Sequence, residues 1–110
     1  MSEKKYLTNL VLISCIVERG EGDAIVEAAK KAGASAATVL FARGTGIREK
    51  LGLLGIAIQP EKEIIDVVVS KDSADAIFDA MAEAGQLHLP GKGFIYMLEC
   101  MKALTHIPKK

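Results

Sequence analysis

The chain has 110 residues, the usual size of one domain, and half of them are hydrophobic, enough to bury a core without disulfide or metal support. Its 14 basic and 14 acidic residues cancel, which excludes the net basic face of a nucleic-acid binder and the polybasic segment of a membrane anchor. Cys15 and Cys100 match no ligand or redox spacing, and no apolar run reaches the length of a membrane span. The apolar stretch 10–17 is interrupted by Ser14 and lacks a cleavage site, so the expectation is one cytoplasmic domain over residues 1–110 with free thiols.

Residues 10–17 are apolar on both faces, β-branched and short, and predict a central buried strand. Glycines within 18–23 end it. A helix follows with Ile25, Ala28, Ala29 and Ala32 on one face and Glu27, Lys30 and Lys31 on the other, closed by Gly33. Residues 37–41 predict the second strand. Gly44, Gly46, Gly52 and Gly55 make 43–55 a long loop, after which the pattern is extended from Ile56, polar over 60–63, and a third strand over 64–69. Asp72 or Ser73 is the expected cap of a second helix with Ala74, Ile77, Phe78, Met81 and Ala82 inward, ending at Gly85. Residues 90–93 predict a tight loop and 94–98 the fourth strand, while the tail 101–110 carries no predicted element.

Strand, helix, strand, strand, helix, strand is one plan repeated. Right-handed crossovers fold it into a split βαβ, an α+β domain of ferredoxin-like type (βαββαβ) with a four-stranded antiparallel sheet and both helices on one face. The strands are apolar on both faces but the helices cover one, so self-association is expected to bury the other.

No catalytic set emerges, and the chain is expected not to be an enzyme. His88 lies beside the Pro90 loop and His106 in the tail, neither with a nucleophile placed for it. Cys15 falls mid-strand like a small core residue, and Cys100 could approach it, since the last strand pairs with the first. Met97, Cys100, Met101 and His106 are soft ligands, but their spacing suits packing better than copper, and no metal is expected. Glu61, Glu63 and Asp66 alternate near a strand start and read as an exposed strand face. Two glycine-rich elements are more informative. Arg43-Gly44-Thr45-Gly46 leaves a strand and Gly91-Lys92-Gly93 enters one. Glycines let successive N–H groups converge on an anion, and Arg43 or Lys92 adds a full charge. Neither has the spacing of a Walker A loop.

Thr38-Val-Leu-Phe-Ala-Arg-Gly-Thr-Gly46, then Gln59-Pro-Glu-Lys-Glu63 before an apolar strand, then Gly91-Lys92 before Phe94-Ile95, together resemble the PII signalling family. The resemblance runs from Leu10 to Glu99. These segments are similar to the strand and glycine pair that open the family's T-loop, to its re-entry into the sheet, and to the end of its B-loop. The loop here, about residues 44–58, looks like the shortened T-loop of a divergent branch. The resemblance implies a cytoplasmic homotrimer, sheets inward, acting in signal transduction and nitrogen regulation. It also implies an adenine nucleotide (AMP, ADP or ATP) as effector in the clefts between subunits, with no obligatory cofactor. Carried over by position, Thr38, Gly44, Gly46, Gly91 and Lys92 form that site, with Arg43 and Thr45 beside them.

Several positions depart from the family pattern. Leu89-Pro90 replace the B-loop's Gly-Asp, Ile47 and Arg48 replace an arginine and a glutamine, and Ala103 and Thr105 replace an arginine pair that clasps phosphates. Glu61 stands where a lysine for 2-oxoglutarate is expected, and a carboxylate there repels an anion. The loop holds no tyrosine to uridylylate. Weak nucleotide binding without standard 2-oxoglutarate sensing is therefore expected. Arg48, Leu51, Leu53, Leu54 and Ile56 are the expected partner-docking residues, since such leucines are costly to expose together, and a membrane transporter is the partner envisaged. The alternative is the trimeric copper-tolerance family of the same fold, supported only by Met97, Cys100 and Met101. A small phosphatase of this fold needs an arginine and an asparagine in fixed positions, and Asn9 is the only asparagine.

Overall fold

The computed structural model describes residues 2–44 and 61–108. In chain order these form β1 (Ser2–Leu7), β2 (Leu10–Glu18), α1 (Gly22–Lys31), β3 (Thr38–Arg43), β4 (Glu61–Ser70), α2 (Lys71–Ala84), β5 (Gly93–Cys100) and β6 (Ala103–Pro108). Four strands make an antiparallel sheet in the order β3-β4-β2-β5, the split βαβ arrangement expected from the sequence, with β2 and β4 inside. Val11, Ile13, Cys15 and Val17 of β2 and Ile65, Val67 and Val69 of β4 alternate onto one face. There they meet Ile25 and Ala29 of α1 and Ala74, Ile77 and Met81 of α2.

The helix ends follow from local chemistry. Asp23 in the first turn of α1 and Lys30 and Lys31 in its last turn suit the helix dipole, and the Ala34 N–H donates to the Ala29 carbonyl beyond the end at Gly33. Ser70, rather than Asp72 or Ser73, caps α2: its hydroxyl accepts the Asp72 N–H at 3.1 Å. Ser70 is the last residue of β4 and keeps extended backbone, as a cap requires, whereas Asp72 and Ser73 already lie inside the helix.

Three sequence expectations are corrected by the fold. The tail is not featureless: β6 pairs antiparallel with β1, Leu7 opposite Ala103 and Ser2 opposite Pro108. This ribbon continues the β2–β5 ladder past Leu10 and Cys100, turning at Asn9, which adopts a positive φ of 61° and whose carbonyl accepts the Lys71 N–H at 2.9 Å. Second, Cys15 faces Ile95 while Cys100 faces Leu10, five residues along and therefore on the opposite face, so the two thiols do not approach. Burial pushes the Cys15 thiol up to about 11, which keeps it protonated and unreactive at neutral pH. Third, Glu61, Glu63 and Asp66 do not share an exposed face. Glu63 is buried on the helix side, and Asp66, three residues on, lies on the opposite side with its Oδ1 buried and unpartnered among the described residues.

Among the described residues nothing covers the second face of the sheet. Register aligns three rows across it: Leu40, Ile64, Ile16 and Phe94; Thr38, Asp66, Ser14 and Tyr96; and Val68, Leu12 and Leu98. Leu40, Val68, Leu98 and Phe94 are 44, 51, 56 and 63% exposed, so two apolar rows flank the polar row of Thr38, Asp66, Ser14 and Tyr96 on this face.

Candidate functional site

Among the described residues, Gly20, Gly22, Gly44, Gly91 and Gly93 lie toward one end of the sheet. Arg43 pairs with Glu61, Glu18 with Lys62, and Val17 with Gly93, so the end of β3, the start of β4, the β2–α1 turn and the start of β5 lie side by side. Strand order then separates the expected site residues. Arg43 and Gly44 sit at the β3 edge and Gly91 and Lys92 at the β5 edge, three strand spacings or about 14 Å away. Thr38 is five residues back along β3, about 17 Å from Arg43, paired with Asp66 on the uncovered face. One subunit therefore does not bring these residues together. Thr45, Gly46, Arg48, Leu51, Leu53, Leu54 and Ile56 lie outside the described residues.

The turn between β2 and α1 ties this end together. Glu63 projects from β4 under the turn, its Oε2 accepting the Gly20 N–H at 3.0 Å and its Oε1 the Gly22 N–H at 2.9 Å. The first backbone donor of α1 is thus capped by a carboxylate from a distant strand, since Glu21 offers no side-chain cap. A Cβ on Gly22 would collide with Glu63 Oε1, so this position requires glycine. The Arg19 N–H donates to the Glu61 carbonyl at 3.3 Å, and its guanidinium pairs with the Glu61 carboxylate at 2.9 Å. On the other side, Glu21 Oε1 lies 3.8 Å from Lys92 Nζ.

At the β3 edge, Arg19, Phe41, Ala42, Arg43, Glu61 and Lys62 line a depression of about 280 Å³. Its charged lining is Arg19, Arg43, Lys62 and Glu61, and Phe41 beside them is 74% exposed. At the β5 edge, Gly91 has φ +75° and Gly93 φ +141°, and a Cβ on Gly93 would collide with the Ile16 carbonyl. Only glycine lets the backbone turn into β5 here and present Lys92 at the sheet's rim. Sequence reasoning named Arg43, Gly91 and Lys92, put Glu63 on an exposed strand face and passed over Arg19. The pair of glycines at 20 and 22 beside a strand end was the available signal.

No group of three or more His, Cys, Asp or Glu side chains suited to a metal occurs among the described residues. Met97 and Cys100 point to opposite faces of β5, and Met101 is 97% exposed, so the soft ligands proposed for copper do not converge. Also among the described residues, no helix is long and apolar enough to cross a membrane.

A four-stranded antiparallel sheet in the order β3-β4-β2-β5 with two helices on one face defines the ferredoxin-like fold class. The model of the nitrogen regulatory protein P-II family matches residues 10–105, and the chain belongs to that family. Among solved structures, it is similar to the PII protein of Arabidopsis thaliana bound to citrate. The TM-score is 0.66 at 20% identity, covering 86% of this chain and 78% of that one. No curated protein matches the chain. Strand β1 lies entirely before the matched region.

Proposed function

We propose that this chain is a cytoplasmic, non-catalytic regulator that senses a small anionic effector, foremost an adenine nucleotide, in the clefts of a homotrimer. The observation that carries this reading is the split site. Arg43 with Gly44 and Gly91 with Lys92 occupy opposite edges of the same sheet end, an arrangement that becomes one site when the β3 edge of one copy faces the β5 edge of the next. The uncovered apolar face supplies the reason for copies to associate. Citrate on the Arabidopsis protein fits the same chemistry, a compact polyanion. In this reading, the loop after Gly44 takes up a conformation set by the effector. Its Leu51, Leu53, Leu54 and Ile56 dock in the groove or pore of a partner protein, for which a membrane transporter is the class proposed.

Calorimetry with ADP tests the site. The wild type is expected to bind with micromolar or weaker affinity, and Lys92→Ala to lose about 1.5–3 kcal/mol, as for a charge-assisted hydrogen bond. Unchanged binding in Lys92→Ala removes that residue from the site.

A further inference from the structure

We infer that Arg19, on the β2–α1 turn, is a second ligand-binding cation of the β3-edge depression beside Arg43, and that the ligand class it selects is a polyanion carrying adjacent negative groups. This rests on the proposed cleft, because Arg43 belongs to both.

Four observations point to Arg19. It lines the same depression as Arg43 and Lys62. The turn that carries it is held rigid: the Gly20 and Gly22 N–H groups are both taken by Glu63, and the Arg19 N–H by the Glu61 carbonyl, so the root of the side chain is fixed at the rim. The guanidinium spends one contact on Glu61, in a pair 66% and 39% exposed, while its planar fork offers five donors. An exposed pair of this kind contributes little stability, so exchanging Glu61 for a ligand costs little. Finally, Arg19 and Arg43 line one depression, and two guanidinium groups there suit two adjacent negative groups, as in a tricarboxylate or a diphosphate. Glu61 is then the resident competitor: it occupies Arg19 when the site is empty and yields it when a polyanion enters.

The sign of two substitutions separates this role from a structural one. Titrated with citrate and with inorganic pyrophosphate, Arg19→Ala is expected to raise Kd about tenfold or more for both. Glu61→Gln is expected to lower Kd several-fold. If Arg19 served only to hold the turn through Glu61, both substitutions would break the same pair and shift Kd in the same direction, which would overturn the inference. Unchanged binding in Arg19→Ala, with binding lost in Lys92→Ala, overturns the role of Arg19 and leaves the cleft standing. A wild type that binds neither probe nor ADP removes both readings.

Discussion

Phe94→Asp combined with Leu98→Asp is expected to leave a folded monomer at micromolar concentration. Both side chains stand on the sheet face opposite the helices, more than half exposed in the single chain, in the rows that continue through Leu12, Ile16, Leu40, Ile64 and Val68. Each apolar side chain buried there on assembly contributes roughly 1.5–3 kcal/mol. The substitution removes two of them and obliges the assembly to desolvate two carboxylates in every subunit, a cost that attraction to nothing offsets. The core on the other face is untouched, since Ile13, Cys15 and Ile65 of the sheet belong there with Ile25 and Ile77 of the helices. Light scattering together with far-UV circular dichroism distinguishes loss of assembly from loss of fold. A double variant with wild-type mass, or a wild type that is itself monomeric, contradicts burial of this face by a second copy.

Gly22→Ala is expected to destabilise the fold through Glu63, the side chain that its added methyl group meets. The added carbon collides with Glu63 Oε1, and relief requires Glu63 to leave the Gly20 and Gly22 N–H groups that it serves. Overpacking and two weakened charge-assisted hydrogen bonds together cost about 3 kcal/mol. The midpoint of thermal unfolding should fall by more than about 10 °C. The origin of the effect is checked by a double-mutant cycle. In a Glu63→Ala background the collision partner is gone, and adding Gly22→Ala should cost less than about 1 kcal/mol. Additive losses in the cycle would show that Glu63 and Gly22 do not act on each other.

The elements legible in the sequence were those whose signal is local. Strand β2 announces itself by residues apolar on both faces, and α1 and α2 by faces of alanine, isoleucine and methionine at helical spacing. The ribbon of β1 and β6 was not legible, because Ser2–Leu7 is mostly polar and neither segment alternates apolar with polar residues. They pair only because β2 and β5 deliver their ends together at Leu10 and Cys100. Glu63 was misread for a similar reason. A glutamate at a strand start normally faces water, and what buries this one is a pair of N–H groups 41 and 43 residues away. Of the candidate site, Gly44 and Arg43, and Gly91 and Lys92, could be singled out as two glycine-rich turns that each carry a cation. Their placement was not legible. Strand order alone puts Arg43 and Lys92 on opposite edges, so a site that used both would draw on two chains.

That division gives the most direct test of the account. Arg43→Ala and Lys92→Ala each damage one edge, and in homogeneous trimers every cleft carries the defect. When the two variants are unfolded, mixed in equal amounts and refolded, about a quarter of the clefts in random trimers should combine an intact Arg43 edge with an intact Lys92 edge. Calorimetric titration of the mixture with ADP should then show a fraction of sites near one quarter with wild-type affinity. A mixture in which no such fraction appears, although wild type refolded in the same way binds ADP, would contradict an effector site shared between neighbouring copies.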